Sequence, residues 1–173
     1  MMIGSQSTTI LGIVIPSTDR LFLGVVGLHV LAGVACVIFG LASMLIIKGR
    51  GRHSRMGILY FWCLSGVFLT AATLASMRWA EDDILFLLGT LAFGLAALGR
   101  LTVIRRWGLR FHAVFMGASY IVLLTAFYVD NGKNLPIWRD LPAIAYWVAP
   151  ALVGVPLILW ALARHPLLRS RNI

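Results

Sequence analysis

Five stretches of mostly apolar residues run through this chain, roughly 21–47, 56–77, 84–104, 109–129 and 142–163. At about 1.5 Å of rise per residue, a helix of about 20 residues crosses the hydrocarbon of a bilayer. Inside lipid every backbone N–H and C=O must find its partner within the segment, so such stretches are read as helices. The expectation is an all-α membrane protein: one domain, residues 1–173, built as a five-transmembrane-helix bundle. Composition agrees, with 60% hydrophobic and only 12% charged residues. A soluble domain of this size has no way to hide that much apolar surface.

The charges supply direction. Lys48, Arg50, Arg52 and Arg55 lie between spans one and two, and Arg100, Arg105, Arg106 and Arg110 around the turn between spans three and four. Arg164, Arg169 and Arg171 follow span five, so that eleven of the fifteen Lys and Arg fall on one side. The other side carries all six acids, Asp19, Glu81, Asp82, Asp83, Asp130 and Asp140. The positive-inside bias then predicts an N-terminus outside and a C-terminus inside a bacterial cytoplasmic membrane. The net charge of +9 is accounted for by these clusters and by anionic lipid headgroups, so the partners are the bilayer and its headgroups, with a membrane protein or a second copy as a further partner, and not nucleic acid. Trp79, Trp138, Trp107, Trp147 and Trp160 fall at belt positions. The segment before Leu21 lacks the basic start and small-residue cleavage site of a signal peptide. Asp82 and Asp83 read as caps for span three, and Asp140 with Pro142 as the start of span five.

Polar residues within the spans are the candidate functional groups. His29 lies well inside span one, and His29, Gly33, Cys36 and Gly40 share one helical face at spacings of four, three and four. Gly33, Cys36 and Gly40 form a small-residue packing face, and depth places Thr70, Ser119 or Tyr120 beside His29. An intramembrane histidine is also a functional hypothesis, here a small-solute or proton pathway centred on His29. Gly89, Gly94 and Gly99 give span three a similar small face. His53, read as lying just before span two, and His112, just inside span four, share the cytoplasmic edge. Each precedes Met-Gly-x2-Tyr: Met56, Gly57 and Tyr60, then Met116, Gly117 and Tyr120. This reads as a short trace of a duplicated hairpin with span five appended.

Two histidines at one depth on neighbouring helices suit the axial positions of a b-type haem, with arginines for its propionates. The competing reading is that His53 belongs first to the turn and its lipid-facing electrostatics, leaving His29 the stronger functional residue. Cofactor-binding candidates are therefore His29, His53, His112, Tyr60 and Tyr120, with haem b or a quinone as ligand. No catalytic residue is assigned, since GxSxG, HExxH, the P-loop and the dinucleotide fingerprint are all missing. Cys36 and Cys63 sit in apolar runs without metal spacing, so no metal site of Cys and His is expected, nor a bridge between the two cysteines. Gly154, Val155 and Pro156 predict a kink in span five, and residues 130–142 a stiff outer connector or lid.

His29-x3-Gly33, then Lys48-Gly49-x3-His53-x3-Gly57-x2-Tyr60, resembles the pattern of a large family of small bacterial multi-pass membrane proteins without an assigned function. Ser54 stands where that family usually has Arg. The resemblance implies an inner-membrane location and implies no reaction. The function expected from the sequence is a non-enzymatic binding or accessory module, with a haem- or quinone-binding redox protein and the His29 pathway as alternatives.

Overall fold

The computed structural model describes residues 8–10, 13–15, 19–46 and 51–164. Lys48, Arg50, His165, Arg169 and Arg171, on which part of the charge pattern rests, lie outside the described residues. Five long helices make the body: α1 Arg20–Leu45, α2 Arg52–Met77, α3 Trp79–Ile104, α4 Leu109–Asn131 and α5 Ala143–Arg164. Each has a stretch long and apolar enough to cross a membrane. A small feature not expected from the sequence precedes them, an antiparallel pairing of β1 Thr8–Ile10 with β2 Ile13–Ile15.

Helices follow one another with little chain between them. Arg78 alone joins α2 to α3, and residues 105–108 join α3 to α4, so neighbours run antiparallel. Backbone packing follows chain order, α1 on α2, α2 on α3, α3 on α4 and α4 on α5. The surface is the reverse of a soluble bundle. Leu21, Leu31, Leu45 and Leu152 are among the exposed apolar side chains, while Thr70, Thr102, Ser119 and Thr125 are buried. Outward apolar faces suit lipid contact, and inward hydroxyls suit helix–helix hydrogen bonds.

Two helix starts differ from the sequence reading. α2 begins at Arg52, so His53 is inside the helix rather than before it, and α3 begins at Trp79, ahead of the acids. Backbone hydrogen bonding continues past the edge of the apolar run because it needs only helical geometry. Asp82 and Asp83 therefore lie within α3 and do not cap it; Arg78 holds the cap position, where its side chain makes no capping hydrogen bond. Asp19, by contrast, caps α1, accepting from the Leu21 N–H at 3.1 Å. α5 runs unbroken through Pro150 and Pro156.

The core is built on α1–α4, with Cys36, Tyr60, Leu64, Val67, Ala92, Ala96 and Leu123 buried together. Along the α2–α3 seam Phe61, Phe93, Phe68, Phe86 and Trp79 form a continuous ladder, with centroid spacings from 4.9 to 6.1 Å. α5 packs mainly on α4, where Gly117 receives the tip of Ile158 and Gly154 receives Ile121. Residues 131–142 are pinned to α5 rather than spread over a cavity. The Tyr146 hydroxyl donates to the Trp138 carbonyl at 3.0 Å, and the Tyr146 ring fills the space beside Gly132.

Of the predicted small-residue faces, part is used. Cys36 and Gly40 are buried, and Gly40 carries the rings of Tyr120 and Tyr60. Gly33 has no atom within 4 Å of the place its Cβ would take, so it is not a close-approach site. On α3, Gly99 packs against Met116, while Gly94 lines an open apolar groove with Thr90, Leu91 and Leu98. Cys36 and Cys63 are both free thiols.

Candidate functional site

The end of α1, the start of α2, the end of α3 and the start of α4 meet at one end of the bundle. Among the described residues this end holds Arg52, Arg55, Arg100, Arg105, Arg106, Arg110 and Arg164. It also holds His53 and His112, whose rings come together with centroids 6.5 Å apart and planes crossed at 83°. The two histidines arrive from different hairpins in equivalent positions.

That equivalence has a sequence basis beyond the Met-Gly-x2-Tyr match. Gly40-x2-Ser43-x9-His53-x6-Tyr60 is followed by Gly99-x2-Thr102-x9-His112-x6-Ser119, with identical spacing throughout. The roles repeat too. Ser43 Oγ donates to the Gly40 carbonyl at 2.8 Å, and Thr102 Oγ1 to the Gly99 carbonyl at 2.7 Å. His53, Gly57, Tyr60 and Leu64 occupy one stripe of α2; His112, Met116, Ser119 and Leu123 occupy the matching stripe of α4. Tyr60 therefore faces Ser119, with 2.7 Å between the hydroxyl oxygens. The Met-Gly-x2-Tyr match is one residue out of this register, and Tyr120 turns toward α1 to donate to the Val37 carbonyl at 3.1 Å.

Each interfacial histidine is anchored by the same ring atom. His53 Nδ1 lies 2.8 Å from the Ser43 carbonyl and His112 Nδ1 lies 2.8 Å from the Gly99 carbonyl. A carbonyl only accepts, so both Nδ1 atoms carry their proton and donate it. The Ser43 carbonyl is in the last turn of α1, so His53 ties the two helices of its hairpin together. In the neutral rings Nε2 is left as a lone pair.

His29 is differently placed. Its Nδ1 lies 2.8 Å from Thr70 Oγ1, one of the residues its depth selects. Thr70 spends its own proton on the Gly66 and Val67 carbonyls, at 2.8 and 3.0 Å, so the hydroxyl accepts from His29. Ser119 and Tyr120 are engaged elsewhere and do not meet it. The structure thus pairs His53 with His112 and, deeper in the bundle, sets the Tyr60 and Tyr120 rings 6.1 Å apart, and it leaves His29 outside both pairs. Cys36 closes the network from α1, its thiol 3.7 Å from the Tyr60 carbonyl.

Arg100 lies in the last turns of α3. Its guanidinium stacks over Phe61, 4.6 Å from the ring centroid, and its Nη1 is buried without a hydrogen-bond partner among the described residues. Side chains on a helix lean toward its N-terminus, which on α3 carries the Arg100 guanidinium back along the helix to Phe61. Among the described residues there is no group of three or more His, Cys, Asp or Glu side chains able to hold a metal ion.

No family profile, no curated protein and no solved structure matches this chain.

Proposed function

We propose that this is an integral, multi-pass protein of a bacterial cytoplasmic membrane that acts as a binding module, with its ligand centre at the His53–His112 pair on the cytoplasmic face. The five apolar helices and their outward apolar faces support insertion. The cluster of arginines at one end, with Asp19, Asp82, Asp83, Asp130 and Asp140 at the other, supports an outside N-terminus and an inside C-terminus. The family resemblance carried by His29, Gly33, His53, Gly57 and Tyr60 is part of the same reading.

The observation that carries the ligand centre is the apposition of two rings fixed through Nδ1, with both Nε2 atoms left for a third party. A bond to a helix carbonyl accounts for one nitrogen of each ring and leaves the meeting of the two rings without a cause. His29 has its reason locally, in the bond to Thr70. The test is co-purification from native membranes, reading metal content and absorption of the protein. His53→Ala and His112→Ala should each lose what the wild type retains, and His29→Ala should keep it. Equal content in all three variants would refute the assignment.

A further inference from the structure

The ligand of the paired histidines can be taken further, on the assumption that they are a ligand centre at all. We infer that the His53–His112 pair is a bis-imidazole axial site for an iron porphyrin, with haem iron between the two Nε2 atoms.

Three observations favour this ligand over a bare cation. The first is distance. With metal–nitrogen bonds of about 2 Å, two imidazoles at a tetrahedral angle have centroids about 5 Å apart, whereas two on opposite sides of one metal have them about 6.3 Å apart. The observed 6.5 Å is the spacing of opposed ligands when both Nε2 atoms turn toward the shared centre, and it is too long for the tetrahedral pair. The second is donor count. A structural zinc ion takes four protein ligands and a catalytic one takes three, and the described residues offer no such group here. A porphyrin brings four nitrogens of its own and asks the protein only for the two axial ones.

The third is the setting. Nδ1–H donation to a carbonyl is the arrangement that fixes the orientation of a metal-binding imidazole and makes its other nitrogen more basic. Both histidines have it. Arg52 and Arg55 are exposed beside His53, suited by charge and fork geometry to the carboxylates of haem. Gly57, one turn from His53 on the same face, has nothing within 4 Å of its Cβ position. α2 and α4 meet through side chains rather than closely packed backbones, and a flat macrocycle must pass between them.

The experiment is titration of the purified full-length protein in mild detergent with ferric haem and, separately, with Cu²⁺. The expected result is saturable binding of one haem per chain with a six-coordinate, low-spin spectrum. His53→Ala and His112→Ala should each give a five-coordinate, high-spin spectrum and weaken binding by at least the roughly 10–100-fold that loss of an outer-shell partner costs. Free imidazole should restore the low-spin spectrum in either variant, which separates loss of a ligand from loss of the fold. Low-spin haem in both alanine variants overturns the inference. So does Cu²⁺ binding that needs both histidines while haem fails to saturate, though the pair then stands as a ligand centre. Absence of histidine-dependent binding of either probe overturns both readings.

Discussion

Tyr60 on α2 and Ser119 on α4 share a hydrogen bond of 2.7 Å at the buried centre of the bundle, joining two helices whose backbones do not pack on each other. Tyr60 is 1% exposed and Ser119 0%, so loss of one partner leaves the other without water to replace it. Measured helix–helix hydrogen bonds in membranes average about 0.6 kcal/mol and reach about 1.7. Tyr60→Phe and Ser119→Ala should each destabilise the detergent-solubilised protein by an amount in the upper part of that range. A double-mutant cycle of thermal or denaturant unfolding should show coupling between them; strict additivity would show that the bond contributes nothing.

Glycines on α1 should separate into two kinds. A methyl group at Gly40 meets the Tyr120 ring and lies 3.1 Å from that of Tyr60, while one at Gly33 meets nothing. Overpacking of a filled core costs about 1–3 kcal/mol. Gly40→Ala should lower stability by that amount, and Gly33→Ala should leave it unchanged or raise it slightly, since alanine favours helix over glycine by up to about 1 kcal/mol. Thermal unfolding of the two variants side by side decides it; equal losses would contradict the packing described.

The same pair shows what the sequence could and could not specify. His29, Gly33, Cys36 and Gly40 share one face of α1 by helical period alone. Which of them touches a neighbour depends on how the helices are turned about their axes, and no periodicity carries that. Depth was legible, as the His29–Thr70 contact shows. The spans were legible because lipid demands long apolar runs. The starts of α2 and α3 were not, because Arg52, His53 and Ser54, and likewise Trp79 through Asp83, are helical while lying beyond the apolar stretch. The histidine pair was legible only in part. The spacing shared by Gly40, Ser43 and His53 with Gly99, Thr102 and His112 carries the signal, and the Met-Gly-x2-Tyr match, one residue out of register, obscures it.

Arg100 is half-buried, with its Nη1 atom buried and without a hydrogen-bond partner among the described residues, and Phe61 lies beneath the guanidinium. A cation–π contact is worth about 0.5–2 kcal/mol, and desolvating an unpaired charged donor costs more than that. Arg100→Met keeps the apolar stem and removes the charge, so it should leave stability unchanged or raise it. A loss of more than about 2 kcal/mol in unfolding measurements would mean that the guanidinium has a partner worth more than the ring.

Topology is open to a direct check in intact cells. In a Cys36→Ala/Cys63→Ala background, Ser54→Cys should resist a membrane-impermeant thiol reagent until the membrane is opened. Lys133→Cys, from the 3-10 turn Gly132–Asn134 at the opposite end, should react at once. The reverse pattern would place the arginine-rich end outside and remove the basis for a cytoplasmic ligand centre.

In the proposed haem site His53 and His112 act as one opposed pair, and their crossed planes give that site a distinctive readout. Axial imidazoles at right angles leave two iron d orbitals nearly equal in energy, whereas parallel ones split them. With the rings at 83°, electron paramagnetic resonance of the ferric haem-loaded protein should give a highly anisotropic low-spin signal. A high-spin signal, or a rhombic low-spin spectrum from parallel rings, would contradict the geometry on which the account rests.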